Sequence, residues 1–423
     1  MDTLAQRLYE EFVKIPLIDP HSHINPHAPV AKSLNDILGY HYYTELAHSA
    51  GLPKDKIETN QGFDQIEQLA THLGHLRNTV QYSWLVELAS TFFGFEAEEV
   101  TPENARRLFD AAESTLAKSD WVETVFEKTR LEGIFLTNDF DDPLEGFDTK
   151  RYIPCLRTDE LVFKLGEESV RNRFEASSGE SASTIASLKK GIGALFERFT
   201  ARGARACAIS LPPDFAPMRP AESEASRALD KVIQGDASPE EARTLSNAVF
   251  FMLADYCEEF TLPFDLMIGV IRGVYADGVF QGQDLFDRRT SLHQYHRLFN
   301  EKKAVTFPIS VLTSNQNQEL VAFSWIFPNV TTNGHWWYSN IPAYIETDLR
   351  ARIEAVPINK QIGYYSDAYK LEFVLPKFNM YRRCLSRVLA NDYVLARGWS
   401  EERAIGLARQ ILRGNVETMF PGR

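Results

Sequence analysis

Residues 16–23 read Pro16-Leu17-Ile18-Asp19-Pro20-His21-Ser22-His23, a short apolar run that stops abruptly in polar side chains. Buried parallel strands have this look, because layers cover both faces and no polar alternation is needed. Residues two apart in extended backbone share a side, so the imidazoles of His21 and His23 point the same way from the end of the run. Before it, residues 3–13 have helical spacing. After it, three stretches (34–51, 63–90 and 101–130) carry apolar residues at i, i+3, i+4, the mark of amphipathic helices. Past residue 130 the pattern changes, and short apolar runs alternate with helical ones: GIFLTND (133–139), YIPCLRTD (152–159), ACAISLPP (206–213), FDLMIGVIR (264–272), TFPISVLTS (306–314), NVTTNGHW (329–336) and IGYYSDAY (362–369).

With the opening run these make eight strand-like segments, most of them separated by enough chain for a crossover helix. Eight such units predict an α/β fold, a (β/α)8 TIM-type barrel built from residues 1–33 and 131–423. Residues 34–130 form a helical insertion after strand 1 that contributes to the active site. A doubly wound open sheet is the alternative. Against it, no glycine-rich turn follows the first strand, and GIGALF (191–196) lies inside a helical pattern. The Ser/Glu/Ala-rich stretches 175–183 and 221–226 read as surface loops.

A chain of 423 residues could hold two or three average domains, but a single barrel with an insertion also reaches that size. Its 44% hydrophobic and 24% charged side chains are ordinary for a soluble globular protein with a large core. The net charge of −13 argues against nucleic acid or an anionic membrane surface as partner. A local arginine can still attract an anionic small molecule. No stretch approaches the ~18 uninterrupted apolar residues of a membrane span, and the first residues lack the apolar centre of a secretory signal. The four cysteines, Cys155, Cys207, Cys257 and Cys384, lie far apart with no CxxC pair. They read as reduced, buried thiols of a cytoplasmic protein. A homo-oligomer is compatible with all of this.

In a barrel, chemistry gathers where strands end and the following loops begin. Here the runs end in His21 and His23, Asp139, Arg157, Trp336 and Trp337, and Asp367. Two imidazoles pointing one way can share a cation, and a third ligand must come from elsewhere. No histidine lies between His75 and His293, so strands 2 to 5 offer no imidazole. That argues against a binuclear site built on four histidines and a bridging lysine. His293 and His296, spaced i, i+3, fit a half-exposed helix face. Asp367 ends strand 8, which meets strand 1 when a barrel closes. Two imidazoles, one carboxylate and open positions suit one divalent ion, zinc or another transition metal.

Arg157, at the end of strand 3, can hold a carboxylate or phosphate through its fork of donors. The plainer alternative is an ion pair to Asp159 or Glu160. His41 and Tyr42 fall on a helix of the insertion, and Trp336-Trp337-Tyr338 can also serve as core aromatics.

Taken together, several anchors in order along most of the chain resemble the uronate (glucuronate) isomerases, a branch of the metal-dependent amidohydrolase superfamily. DPHSH (19–23) is similar to the family's D-x-H-x-H metal motif, and GYHYYTELAHSAG (39–51) to its His-Tyr helix. LTNDFDDP (136–143) and CLRTDELVFKL (155–165) look like its strand 2 and strand 3 segments. ISLPPDF (209–215), MIGVIRG (267–273) and LTSNQNQEL (312–320) match a divergent subgroup better than the main one. GHWWYSNIP (334–342) and SDAY (366–369) followed by MYRR (380–383) look like the last two strand ends.

The resemblance implies reversible isomerisation of D-glucuronate to D-fructuronate and of D-galacturonate to D-tagaturonate. A proton would move between adjacent carbons through an enediolate that a divalent metal stabilises. It further implies that His21, His23 and Asp367 hold the metal and that Arg157 pairs with the C6 carboxylate. His41 and Tyr42 would stand near the reacting end, with Tyr42 or Asp367 moving the proton. Trp336 and Trp337 would wall the sugar pocket. In a strand, residues 367 and 369 share a face, so Tyr369 should point into the pocket with Asp367, where it can reach the substrate, and Lys370 should point away. The chain departs from the main group in three places. Tyr369, followed by Lys370, replaces an arginine two residues after the metal aspartate; Met267 replaces a strand 5 histidine; Ala208 replaces a strand 4 aspartate. Two rival functions stand beside this one: a mononuclear metal-dependent hydrolase or decarboxylase of the same superfamily, and a sugar-acid-binding protein without turnover.

Overall fold

The computed structural model describes residues 3–422. Eight parallel strands follow one another around a ring in chain order. They are β1 (Leu17–Asp19), β2 (Leu131–Phe135, resuming at Asn138–Asp139), β3 (Tyr152–Ile153 and Cys155–Arg157), β4 (Ala206–Leu211), β5 (Phe264–Ile268), β6 (Phe307–Val311), β7 (Val330–Asn333) and β8 (Gln361–Ile362). This is the (β/α)8 arrangement, and it removes the open-sheet alternative. No strand ladder joins β8 to β1. The ring closes just beyond them, where Asp367 N–H donates to the His21 carbonyl at 3.2 Å and His23 N–H to the Ala368 carbonyl at 2.8 Å. The Asp19 carboxylate adds a stitch by accepting Ser366 N–H at 3.0 Å.

The strands are continuous apolar runs because both of their faces are covered. Part of the interior is filled by Ile18, Phe135, Ile153, Cys155, Ala206, Ala208 and Ile362, with Val416 and Phe420 from the C-terminal end of the chain packed among them. Met267, Leu312, Trp336 and Tyr365 form a second interior cluster. Outside β3 to β7 lies a layer of helices that includes Ile185–Ala201 and Pro239–Glu259. In the first of these, Gly191 and Gly193 permit close approach, since an added Cβ would stand 2.3 Å from the Phe174 ring and 2.6 Å from the Tyr256 hydroxyl.

Between β1 and β2 the chain is helical from Leu34–Leu38 to Trp121–Thr129. These helices do not form a core of their own. Their apolar faces join those of Thr3–Phe12 and Val374–Val388 in one continuous cluster. Two expectations fail. The stretch 175–183 is helical as far as Ser178, and 221–226 opens a helix, Glu222–Gln234, whose Glu224 side chain accepts Ala221 N–H at 3.0 Å. At 221–226 composition misled because serine and glutamate favour the first turn and the cap of a helix as much as they favour loops. Among the described residues no helix is long and apolar enough to cross a membrane. All four cysteines are buried and unpaired.

Candidate active site

His21, His23 and Asp367 come together where β1 and β8 end. One ligand atom from each lies within 4.8 Å of the others. His21 Nε2 and His23 Nε2 stand 3.5 and 3.3 Å from the same carboxylate oxygen, Asp367 Oδ1. Donor atoms bound at 2.0–2.1 Å to a tetrahedral ion are about 3.3–3.4 Å apart, so these spacings fit such an ion. His21 Nε2 and Asp367 Oδ1 are fully buried and find no hydrogen-bond partner among the described residues, an expensive state unless something else binds them.

Support from behind fixes the two imidazoles. His23 Nδ1 faces Thr137 Oγ1 at 2.8 Å, and that hydroxyl donates to the Ser22 carbonyl at 3.1 Å. The hydroxyl must then accept from Nδ1–H, which leaves the Nε2 lone pair of His23 aimed at Asp367. His21 Nδ1 faces the buried carboxylate of Asp265 at 3.8 Å, and Asp265 is held by Asn333 Nδ2 at 3.1 Å. A carboxylate behind a ligating imidazole is a common way to orient the ring and raise its basicity.

Electrostatics agree. Burial would depress His21, but Asp265 and Asp367 outweigh it and carry its pKa to about 9. Burial would likewise raise Asp367, but the two facing imidazoles hold its carboxyl well below the ordinary range. The spot attracts positive charge. Asp367 has a backbone φ of +52°, the left-handed region that costs most residues ~1–2 kcal/mol and aspartate less. That geometry corrects the strand-parity argument, because β8 ends at Ile362 and residues 363–369 are not strand. Tyr369 nevertheless faces the site and stacks on His23, with ring centroids 4.8 Å apart, while Lys370 turns away to donate to the Ala28 carbonyl at 3.1 Å. β1 also stops early, at Asp19, so His21 and His23 sit on extended coil beyond it.

A cavity of about 680 Å3 opens over these three residues. Arg157, Asp139 and Thr137 line it from the ends of β2 and β3, Trp336 and Trp337 from the end of β7, and His41 from the insertion. Arg157 Nε donates to Asp159 at 3.1 Å, so the ion pair exists. The Arg157 side chain is still 38% exposed and lines the cavity, and its terminal nitrogens make no hydrogen bond to any described residue. The ion pair to Asp159 therefore engages only part of the guanidinium.

His41 is kept neutral, its pKa depressed to about 3 by burial and then by the ammonium of Lys377. Tyr42 packs on His41, with centroids 4.2 Å apart, but is not among the residues lining the cavity. Burial pushes its phenol well above the usual tyrosine value. Burial and the Asp367 charge push Tyr369 up to about 12. His335 is buried away from the cavity, 3.8 Å from Asp348.

Sequence reasoning missed Asp265, Thr137, Gln281 and Lys377. Asp265 had a visible signal, a carboxylate at the second position of an otherwise apolar strand. Gln281 had none, because it reaches the cavity from a long loop between Val270–Ile271 and Leu285–Phe286, two short strands that pair antiparallel.

Three kinds of relative frame this geometry. A curated uronate isomerase of Rhizorhabdus wittichii is 24% identical over 445 aligned positions, covering 99% of this chain and 95% of that one. The crystal structure of a uronate isomerase from Thermotoga maritima superposes with a TM-score of 0.91 at 19% identity, covering 99% of this chain and 98% of the other. That of a glucuronate isomerase from Caulobacter crescentus gives 0.89 at 19%, covering 99% and 94%. At such identities the structures establish the fold. The family model described as glucuronate isomerase matches residues 1–418, nearly the whole chain. The chain belongs to the glucuronate isomerase family.

Proposed function

We propose that this protein interconverts D-glucuronate with D-fructuronate, and D-galacturonate with D-tagaturonate, in the cytoplasm. One observation carries the reading: two imidazoles and a carboxylate, with His21 Nε2 and Asp367 Oδ1 unpartnered among the described residues, line a cavity that Arg157 also lines, in a chain of this family. The donor set suits one divalent ion, zinc foremost, which when bound would stabilise negative charge developing on neighbouring substrate oxygens.

The remaining work falls to side chains. Arg157 holds the C6 carboxylate at the cavity mouth. Asp367 takes a proton from one carbon and returns it to its neighbour. His41, neutral, and Tyr369, a protonated phenol, supply hydrogen bonds to the sugar oxygens. Trp336 and Trp337 form an apolar wall that turns the reacting end inward. Tyr42 acts through the ring of His41, which it packs against.

Exchange with deuterium oxide tests the reading against its rivals. An isomerase washes solvent deuterium into the sugar, a hydrolase or decarboxylase releases a fragment, and a binding protein does neither. Fragment release, or no exchange with either uronate, would overturn it.

Asp265→Asn keeps the side-chain volume but removes the charge behind His21. Metal affinity should fall ~10-fold or more, read by competition with a chromogenic chelator. Unchanged affinity would reduce Asp265 to a packing role.

Tyr369 offers one donor where the main group has a guanidinium. We therefore expect Tyr369→Arg to raise kcat/KM for glucuronate by several-fold, measured beside the parent. An equal or lower value would mean that the phenol is matched to the ordinary substrate.

A further inference from the structure

Lys377, on the helix Val374–Val388, is fully buried. Among the described residues no carboxylate comes within ion-pair distance of it. Its Nζ instead donates to the Ser366 carbonyl at 2.8 Å and to the Tyr40 hydroxyl at 3.0 Å. The rings of Tyr40, Tyr42 and Trp84 surround the ammonium at 5.1, 5.0 and 5.0 Å. The Tyr40 hydroxyl in turn donates to the carbonyl of Asp367 at 3.0 Å.

Those two carbonyls, of Ser366 and Asp367, belong to the peptide planes on either side of the Asp367 α-carbon. The orientations of these planes are what φ and ψ of Asp367 measure. No β-ladder holds this segment, which lies beyond the end of β8 in a backbone region that side-chain-bearing residues seldom adopt. Conformations of that kind last when the surroundings over-determine them. Here one side is set by Asp367 N–H on the His21 carbonyl, and the carbonyls are set by Lys377 directly and through Tyr40. An apolar residue as long as lysine could fill the space between three rings with no charge to desolvate. What the ammonium adds is the two hydrogen bonds.

We propose that Lys377, with Tyr40 as its relay, is a positioning residue that holds the Asp367 carboxylate in place opposite His21 and His23. The inference rests on reading those three residues as metal ligands. Without the ammonium, the 366–367 peptides keep their N–H bonds to Asp19 and His21 but lose the anchor of their carbonyls, and the carboxylate samples positions that the two imidazoles cannot share.

Lys377→Met removes the charge at similar length, and Tyr40→Phe removes a single oxygen atom. Zinc affinity is read by chelator competition on folded protein well below its unfolding temperature. Lys377→Met should bind zinc ~10–100-fold more weakly, the range seen when a ligand loses its supporting partner. Tyr40→Phe should lose a few-fold, because Ser366 keeps its bond. Phe174→Leu, destabilised in the outer helical layer against Gly191, should bind like the parent, so that general loosening cannot imitate the effect. Parent-like affinity in Tyr40→Phe and in folded Lys377→Met overturns the proposal. If Lys377→Met does not fold, Tyr40→Phe decides alone. Zinc binding by Asp367→Asn as tight as the parent's is a separate outcome, and it overturns the metal site along with this inference.

Discussion

Asp367→Asn should leave a folded protein that no longer retains its metal and turns over uronates at least ~100-fold more slowly. Loss of a mere supporting partner already costs 10–100-fold in metal affinity or activity, and this change removes the ligand's charge itself. Asparagine is the right probe because it tolerates the left-handed backbone as well as aspartate does, so the φ of +52° is kept and only the anion is lost. His21→Ala should behave alike, since it deletes the imidazole that Asp265 and Asp367 both face. Elemental analysis should find one ion per chain in the parent and essentially none in either variant. Two tightly held ions per parent chain, or an active Asp367→Asn, would contradict the site.

Arg157→Met should reduce kcat/KM for glucuronate by about 2–4 kcal/mol, roughly 30- to 1000-fold, as when a charged group in a partly dry pocket loses its partner. The lower half of that range is expected. Arg157 is partly exposed, and Asp159 already takes its Nε, so part of its field is spent on the protein. Glucose, which lacks the C6 carboxylate, should be a poor substrate for the parent and almost indifferent to the substitution. Comparable turnover of glucose and glucuronate by the parent would remove Arg157 from carboxylate binding.

The barrel was legible because eight buried strands leave eight apolar runs, and because a chemistry-bearing residue tends to follow each run. The three clustered residues were legible for the same reason, with chain order placing the last strand beside the first. Backbone detail beyond the strand ends was not. Tyr369 was placed in the cavity by counting alternate residues along a strand, yet that strand stops at Ile362 and the outcome depends on a left-handed turn at Asp367. Periodicity carries no information about such a turn. Lys377 was invisible for a different cause: a lone lysine among apolar neighbours looks like a side chain that snorkels to solvent. Only three-dimensional packing shows that three aromatic rings close it in.

The seam between β1 and β8 has a bearing on how the protein is made. A ribosome delivers His21 and His23 long before Asp367. At 5–20 residues per second the two imidazoles wait roughly 20–70 seconds for their carboxylate. During that interval the nascent chain offers a cation only half a grip, and the strands already made have no closing neighbour. Assembly of the three-residue cluster therefore waits for residue 367. A chain interrupted between residues 23 and 367 carries both histidines without the carboxylate that completes the cluster.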